Sequence, residues 1–272
     1  MKTELTGKLA LVTGSGSGIG KATALLLAKH GARVVVTDID EERVAATKRE
    51  LGDRCVFDRA VDVSKRDAMR SLADDVHRKL GALDVLVNNA GVGHSGGILD
   101  TSLQDWDWVV GVNLWGVIHG CHFFVPKMVD GGRGGHVANV ASAFGLMAGP
   151  NVAPYCTTKF AVVGLSESLR AELEPHRIGV SAICPGLINT DIINRGRFAD
   201  EKLRGGIAKT FESKGRSPDE VARAVLHAIE KNVAVVPVGA EAWGAYLGKR
   251  FVPGLTAKLG QRIEKKAREA RG

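Results

Sequence analysis

The sequence predicts an α/β protein with a Rossmann-like fold, in which helices cover both faces of a doubly wound, parallel, seven-stranded sheet. Two observations carry this prediction. Short apolar segments rich in β-branched residues alternate with amphipathic helical segments, and a glycine-rich loop joins the first strand to the first helix. No linker rich in proline, serine or charge divides residues 1–239. We therefore predict a single domain over 1–272, with a core at 5–239 and a C-terminal extension at 240–272.

The alternation is regular along the chain. Strands are predicted at 8–13, 32–37, 55–61, 83–88, 135–141, 178–184 and 233–238, and helices at 19–31, 41–51, 65–80, 102–129, 153–174 and 217–231. The last helix opens with a capping box, in which Ser217 caps, Pro218 occupies the first turn and Glu220 reaches back. The segment 186–216 shows no clear periodicity, and we expect a functional or mobile loop there.

Charge and cysteine content exclude several classes of protein. The net charge is +7, and residues 240–272 contribute most of it, with eight Lys and Arg against three Glu. The body is therefore nearly neutral, and no nucleic-acid partner is expected. The four cysteines form no CxxC pair, which argues against a metal site and favours a reducing cytoplasm. No secretory signal is visible, and polar residues interrupt the apolar stretch 108–129, so we predict no membrane span.

The loop TGSGSGIG at 13–20 follows the first strand and opens the first helix. Its glycines, Gly14, Gly18 and Gly20, permit a tight turn and a close approach to a diphosphate, which the helix N-terminus attracts. Asp38 ends the second strand, where an acid accepts hydrogen bonds from the adenosine ribose and repels a 2′-phosphate. No Arg or Lys occupies 14–20 or 39, so the sequence favours NAD over NADP.

Tyr155 and Lys159 stand one helical turn apart after Pro154. An ammonium group about 4 Å from a phenol contributes roughly 4 kcal/mol at an effective dielectric of about 20. That is about three pKa units before desolvation opposes it. The pattern therefore predicts that Tyr155 is a general base in alcohol oxidation and a general acid in ketone reduction. The alternative is a solvated pair on a helix surface.

Several further motifs make the chain resemble the short-chain dehydrogenases/reductases over roughly residues 5–240. They are TGSGSGIG (13–20), Asp62 in VDVS, NNAG (88–91), Asn113 in GVNLWG, Ser142 in VASAFG, YCTTK (155–159) and PGLINT (185–190). The resemblance implies a nicotinamide cofactor and a homodimer or homotetramer. It also implies four catalytic residues, namely Asn113, Ser142, Tyr155 and Lys159. Among them Ser142 holds the substrate oxygen, Asn113 holds water in a relay to Lys159, and Lys159 binds the nicotinamide ribose. The basic extension 240–272 departs from the common core.

The resemblance also implies a set of cofactor contacts. They are Gly14, Ser17, Gly18, Ile19, Gly20, Asp38, Asp62, Val63, Asn89, Ala90, Gly91, Tyr155, Lys159, Pro185, Gly186, Ile188 and Thr190. Asp62 is expected to hydrogen-bond the adenine amino group, and Asn89 to line the adenosine. The PGLINT segment would hold the carboxamide, with Thr190 reaching a phosphate.

The substrate side is apolar. Ser142, Phe144, Leu146, Tyr155 and Leu187 are the predicted substrate contacts, and they favour a hydrophobic secondary alcohol or ketone, such as a terpenoid, steroid or lipid-like molecule. Two alternatives on the same fold are an acyl-thioester ketoreductase and a non-catalytic NAD-binding regulatory protein. A third, a serine hydrolase, rests on the GHSGG segment at 93–97.

Two surfaces predict contacts beyond the site. The helices 102–129 and 153–174 carry surplus apolar residues, namely Trp106, Trp115, Phe123, Phe160 and Leu165, which favours a homo-oligomer. In the extension, Trp243, Leu247 and Phe251 recur every four residues, and Leu255, Leu259 and Ile263 repeat this after Pro253. Two amphipathic helices hinged at Pro253 would pack on the body or on a neighbouring subunit, or attach to an anionic membrane surface.

Overall fold

The computed structural model describes residues 5–252 and 254. Its main sheet has seven parallel strands in the order β3-β2-β1-β4-β6-β7-β9. The strands are β1 (Leu9–Thr13), β2 (Arg33–Asp38), β3 (Cys55–Ala60), β4 (Val85–Asn88), β6 (Gly135–Val140), β7 (Ile178–Pro185) and β9 (Val235–Val238). A second, two-stranded sheet pairs β5 (His94–Ser95) with β8 (Arg197–Phe198). The predicted fold class is confirmed. The strand order reverses between β1 and β4, where doubly wound sheets bind their ligands.

Helices flank the sheet on both faces. They are α1 (Gly18–Lys29), α2 (Glu41–Leu51), α3 (Arg66–Leu80), α4 (Leu103–Val110), α5 (Gly116–Asp130), α6 (Ala153–Leu173), α7 (Lys202–Lys214), α8 (Pro218–Lys231) and α9 (Ala240–Phe251). Successive strand residues point to opposite faces, so the sheet builds two cores. Leu11 and Leu86 face α3, α5 and α6 in one core, whereas Val12 and Val87 face α1 and α8 in the other.

Three segments differ from the sequence prediction. The predicted helix 102–129 is interrupted by a π-helical turn at Gly111–Trp115, which divides it into α4 and α5. The predicted loop 186–216 contains α7, whose apolar residues recur every four positions at Leu203, Ile207 and Phe211, but whose two adjacent glycines disfavour a helix in the sequence. The capping box is half wrong. The Ser217 hydroxyl accepts from the Asp219 amide, but the Glu220 carboxylate pairs with Arg216 instead of reaching back.

The first part of the extension forms α9 and packs on the body through Ala242 and Ala245, which are buried. The second predicted amphipathic stretch, with Leu255, Leu259 and Ile263, lies outside the described residues.

The helical run Leu103–Asp130 is long and apolar enough to cross a membrane by length and composition. Half of its most apolar window is buried inside the protein. Phe124 and Met128 lie in the core against the sheet, where Phe124 is fully buried. Packing within the fold therefore accounts for its apolar character.

Candidate active site

The glycine-rich loop connects β1 to α1 at the point where the strand order reverses. Gly14 and Gly18 adopt positive φ angles of 64° and 51°, which favour glycine. A Cβ atom on Gly20 would lie 2.1 Å from the Gly14 carbonyl oxygen and 2.4 Å from Asn89 Nδ2. Ser17 is the N-cap of α1 and Ile19 lies in its first turn, so both are where the sequence predicts them. The loop thus has the tight turn and the free helix N-terminus that suit a diphosphate.

Buried hydrogen bonds hold this loop against β2. The Ser15 amide donates to the Thr37 carbonyl at 3.0 Å, and the Thr37 amide donates to Ser15 Oγ at 3.0 Å. Asp38 ends β2 as predicted, with 8% of its surface exposed. Its carboxylate accepts the Gly16 amide at 3.0 Å and the Asp40 amide at 3.2 Å. The acid therefore stands beside the glycine-rich loop, as a ribose-binding carboxylate requires.

Arg43 is a cation near this acid that the sequence prediction missed, because it lies five residues beyond Asp38 and only the fold brings it beside the glycine-rich loop. It lies in the first turn of α2, and its Nε atom pairs with Asp40 at 3.0 Å. A Cβ on Gly16 would lie 2.6 Å from the Cβ of Arg43 and 2.8 Å from Asp38 Oδ2. A positive and a negative side chain therefore both border the adenosine end of the predicted cofactor site.

The segments after β3 and β4 complete this side of the site. Asp62 Oδ1 accepts from the amide and hydroxyl of Ser64, and Val63 is buried. The amides of Asn89 and Ala90 both donate to Thr13 Oγ1 at 3.0 Å, and Asn89 Nδ2 donates to the Thr13 carbonyl at 2.9 Å. Thr13 is thus a positioning residue that joins the two loops at the switch point. The sequence gives no role for it.

A buried polar chain fixes the strands next to this point. Asn88 Nδ2 donates to Asn139 Oδ1 at 2.9 Å, and Asn139 Nδ2 donates to Ser166 Oγ at 3.0 Å. This chain links β4, β6 and α6 across the sheet. Asn139 and Ser166 lie outside the sequence motifs, so the hydrogen bond between them was not predicted.

Asn113 lies in the π-helical turn and is fully buried. Its Oδ1 accepts the Val92 amide at 2.8 Å, and its Nδ2 donates to the Val92 carbonyl at 2.9 Å. Both ends of its side chain are therefore occupied, which leaves its main chain to hold the predicted water. A Cβ on Gly91 would lie 3.2 Å from Asn113 Oδ1 and 3.6 Å from Lys159 Nζ, so these three residues do converge.

Ser142, Tyr155 and Lys159 meet at the carboxyl end of β6. Ser142 follows that strand, and its Oγ accepts the Phe144 amide at 3.2 Å. Tyr155 lies in the first turn of α6 and hydrogen-bonds to Ser142. Lys159 is one turn further and is only 4% exposed; its Nζ donates to the Val140 carbonyl at 3.0 Å. Lys159 is therefore buried and Tyr155 half-buried, so the two are not a solvated pair on a helix surface.

The electrostatics differ from the sequence expectation. Burial raises the pKa of Tyr155 to about 12, although its hydrogen bond with Ser142 opposes this. Burial likewise lowers the pKa of Lys159 to about 8. Lys159 Nζ lies 5.6 Å from the centroid of the Tyr155 ring, and no ammonium contribution offsets the loss of water. The Tyr155 pKa therefore lies above its usual value and not below it as predicted, because desolvation outweighs the Coulomb attraction of the ammonium group.

The loop after β7 closes the site from the other side. Pro185 ends the strand, and a Cβ on Gly186 would lie 2.2 Å from Glu241 Oε1. The Leu187 amide donates to the same oxygen at 2.8 Å, so α9 anchors this loop. The Ile188 side chain is buried in the core, so its predicted contact with the cofactor would be made by its backbone. Thr190 faces the glycine-rich loop, since its Cγ2 would lie 3.2 Å from a Cβ on Gly18.

The substrate side is partly as predicted. Phe144 is 37% exposed and its ring meets the Tyr155 ring edge-on at 6.3 Å. Leu187 is half-buried, whereas Leu146 packs in the core and does not line the site. Three exposed apolar side chains, Ile98, Leu99 and Leu103, follow β5. Ser95 lies in that short strand and donates to the Asn151 carbonyl, so the GHSGG segment does not form the strand-to-helix elbow of a hydrolase.

Comparisons with known proteins agree with this arrangement. The chain matches the family model of short chain dehydrogenases over residues 8–200. The "Probable oxidoreductase EphD" of Mycobacterium tuberculosis is 40% identical over 255 residues, which are 90% of this chain and 43% of that protein. The chain thus spans less than half the length of this relative.

Two solved structures are similar over nearly their whole length. One is a short chain dehydrogenase/reductase from Burkholderia phymatum in complex with NAD, with a TM-score of 0.83 and 31% identity, covering 94% of this chain and 96% of the other. The second is a 3-ketoacyl-(acyl-carrier-protein) reductase from Brucella melitensis complexed with NADH. It has a TM-score of 0.78 and 31% identity, covering 88% of this chain and 99% of the other.

Proposed function

Because the chain belongs to the short-chain dehydrogenase/reductase family, we propose that it is an NAD-dependent oxidoreductase acting on a hydrophobic secondary alcohol or the matching ketone. The observation that carries this proposal is the contact between Ser142 and Tyr155 beside the buried Lys159. Three groups able to hold and transfer a proton meet where the sheet binds ligands. The family membership and the oxidoreductase class rest on the match over residues 8–200, and the finer reaction is our proposal.

The residues at the reversal of strand order fit a dinucleotide. The backbone of Gly14 and Gly18 and the N-terminus of α1 would hold the diphosphate, Asp38 the adenosine ribose, and Asn89 and Asp62 the adenosine. A bound nicotinamide supplies the hydride acceptor for oxidation and the hydride donor for reduction. We infer NAD because the Asp38 carboxylate accepts the Gly16 amide and so lies beside the glycine-rich loop, where it would repel the 2′-phosphate of NADP. Arg43 is the nearby cation that would act in the opposite sense.

The proton steps fall to this chain's own side chains. Tyr155 is protonated at neutral pH, since burial raises its pKa to about 12. It is therefore ready to donate a proton to a ketone oxygen that Ser142 also holds by a hydrogen bond. In the oxidation direction Tyr155 must accept the alcohol proton, which requires a nearby positive charge to lower its pKa. Protonated Lys159, whose Nζ lies 5.6 Å from the centroid of the Tyr155 ring, would supply that charge together with the positive ring of an oxidised nicotinamide. Both polar atoms of the Asn113 side chain are hydrogen-bonded to the Val92 backbone. A water relay to Lys159 would therefore use the Asn113 main chain.

The proposed substrate class rests on the apolar side chains at the entrance of the site. Phe144 borders Tyr155, and the exposed side chains of Ile98, Leu99 and Leu103 extend the apolar surface beyond β5. An acyl-thioester ketoreductase is the second candidate. The Brucella reductase of that description binds NADH, so a preference for NAD does not argue against it. A non-catalytic regulator is disfavoured, because the serine, tyrosine and lysine are all present and in contact.

We also infer a homo-oligomer. Among the surplus apolar residues of α4 to α6 and the turn between them, Trp115 is 51% exposed, and the other four are half-buried. An exposed tryptophan on a long helical run favours a contact with a second copy. A peripheral membrane contact of the extension remains a prediction from its basic and apolar sequence pattern.

Tyr155→Phe tests the proposed chemistry. We expect kcat/KM for alcohol oxidation to fall about 10²- to 10⁴-fold, because that is the usual contribution of a general acid or base. The affinity for NADH, measured by fluorescence titration, should change less than about twofold, since the ring remains. Tyr246→Phe is the matched control, because Tyr246 is the chain's only other tyrosine and lies on α9. Retention of most of the turnover in the Tyr155 variant would contradict the assignment.

A further inference from the structure

Arg195 links the loop after β7 to the glycine-rich loop. Its Nη1 donates to Ser17 Oγ at 3.3 Å, and its Nη2 donates to Asp191 Oδ2 at 2.8 Å. The backbone amide of Arg195 also donates to the Asp191 carbonyl at 3.0 Å, which holds this stretch as a turn. A guanidinium therefore reaches from the substrate-side loop to the N-cap of α1.

This is an unusual place for a cation. A helix N-terminus carries partial positive charge, which favours acidic side chains and disfavours basic ones. The first turn of α1 contains no acidic residue, and the Ser17 side chain accepts no capping hydrogen bond from the helix backbone. Apart from Asp191, no carboxylate pairs with Arg195 among the described residues. An anion placed between the guanidinium and the helix N-terminus would be stabilised by both.

The neighbouring arginines serve other contacts. Arg197 pairs with Asp105 at 2.8 Å, and its guanidinium stacks 4.2 Å from the centroid of the Trp108 ring. Arg204 pairs with Glu201 and donates to the Ile193 and Asn194 carbonyls. Of the three arginines between 191 and 204, Arg195 alone faces the glycine-rich loop. Its side chain is 40% exposed and holds five donors, so it is free to turn toward a ligand.

We propose that Arg195 is a cofactor-binding residue that contacts the diphosphate of the nicotinamide cofactor. This assignment rests on the proposed function. On binding, the guanidinium exchanges its long contact with Ser17 for charge-assisted hydrogen bonds to the phosphate oxygens. Thr190 lies on the same loop and faces Gly18, so one movement brings both side chains to the anion. Cofactor binding would thereby order the loop between Gly186 and Gly196. Arg195 lies beyond the PGLINT motif, so the cofactor site extends past the predicted motifs.

The test compares Arg195→Ala, Arg195→Lys and the matched control Arg197→Ala in the full chain. Dissociation constants are measured for NADH, ADP-ribose, NADPH and adenosine, the last by displacement of NADH. We expect Arg195→Ala to weaken NADH, ADP-ribose and NADPH equally, by about 10- to 100-fold, because hydrogen bonds to charged groups are strong. Adenosine, which lacks the diphosphate, should bind unchanged. Arg195→Lys should recover part of the loss, and Arg197→Ala should bind NADH within about twofold of the wild type.

Three results would overturn the assignment. Unchanged NADH affinity in Arg195→Ala would mean that Arg195 only holds its loop against Ser17 and does not bind the cofactor. An equal loss for adenosine would mean that the residue orders the loop without touching phosphate. A loss of affinity confined to NADPH would mean that the guanidinium binds the 2′-phosphate and not the diphosphate. Failure of the wild-type chain to bind NADH at all would instead overturn the proposed function, and this assignment with it.

Discussion

The loop after β1 and the loop after β7 meet at the same edge of the sheet, but different contacts hold them there. The first is short, and buried hydrogen bonds from Ser15 and Asp38 fix its backbone. The second is long, and exposed ion pairs such as Arg195–Asp191 hold it, together with the Glu241 contact from α9. Exposed ion pairs contribute little to stability. Because buried contacts hold the first loop and exposed contacts the second, we expect the adenosine side to be rigid and the substrate side to adjust.

Replacement of Gly20 by alanine should distort the glycine-rich loop on the rigid side and have the largest effect on cofactor binding. The new Cβ would lie 2.1 Å from the Gly14 carbonyl oxygen, so the backbone of the loop must move. We expect the affinity for NADH to fall more than about 100-fold, and overpacking to cost about 1–3 kcal/mol of the free energy of unfolding. Fluorescence titration and thermal unfolding measure the two quantities.

The matched control for this variant is Gly164→Ala in α6. Among the residues that the structure describes, no atom outside the neighbouring backbone of the same helix lies within 4 Å of the added Cβ at that position. Alanine should stabilise the helix there by about 0.8–1.0 kcal/mol relative to glycine, without affecting NADH binding. NADH affinity within about fivefold of the wild type in Gly20→Ala would mean that the glycine-rich loop is more adaptable than its contacts indicate.

The double variant Asp38→Ala, Ile39→Arg sharpens the comparison by changing the charge at the adenosine end, although it also removes the hydrogen bond that the Gly16 amide donates to Asp38. It removes a carboxylate that repels a 2′-phosphate and adds a bidentate donor. Ile39 is 70% exposed, so an arginine there displaces no core packing. We expect the ratio of kcat/KM for NADP(H) over NAD(H) to rise about 10- to 100-fold.

Arg43 provides the internal control for that switch. Its Cβ lies beside Gly16, so Arg43→Ala in the double-variant background should reduce the gain with NADP(H). A wild-type chain that already prefers NADP(H) would show that Arg43 outweighs Asp38, and would contradict our assignment of NAD.

The sequence predicted the rigid side well because its backbone needs particular residues. Positive φ angles and close approaches demand glycine, and the end of β2 offers one position for a ribose-binding acid, Asp38. Tyr155 and Lys159 were found for a similar reason, since one helical turn brings them together. Their pKa shifts were not predicted correctly, because the loss of water depends on everything that packs around them.

The adaptable side was predicted less well, and the reasons are tertiary. The Glu241 contact with Leu187 joins residues far apart in the chain, and no local pattern marks such a pair. The helix α7 carries Leu203, Ile207 and Phe211 four residues apart, but the two adjacent glycines between them lower its helix propensity. Leu146 was assigned to the site because it is apolar and adjacent to a motif, but its side chain turns into a core instead.

The smallest effect on turnover should come from the exposed face of α9. Trp243, Leu247 and Phe251 are 49%, 45% and 74% exposed, and together they form one apolar stripe. Lys249 Nζ lies 3.8 Å from the centroid of the Phe160 ring, so the helix adjoins α6, one of the helices expected at a contact between copies. We therefore expect the stripe to pack on a second copy of the chain.

Trp243→Ser with Leu247→Ser should lower the mass in light scattering at micromolar concentration, with kcat on a small alcohol changed less than about threefold. A chain ending at Val252 keeps α9 and should retain activity. Truncation after Ala240 would remove Glu241 and the buried Ala242 and Ala245, so we expect it to damage the fold. An unchanged mass, combined with co-sedimentation of the wild type with anionic liposomes at low salt but not at high salt, would assign the stripe to a membrane surface instead.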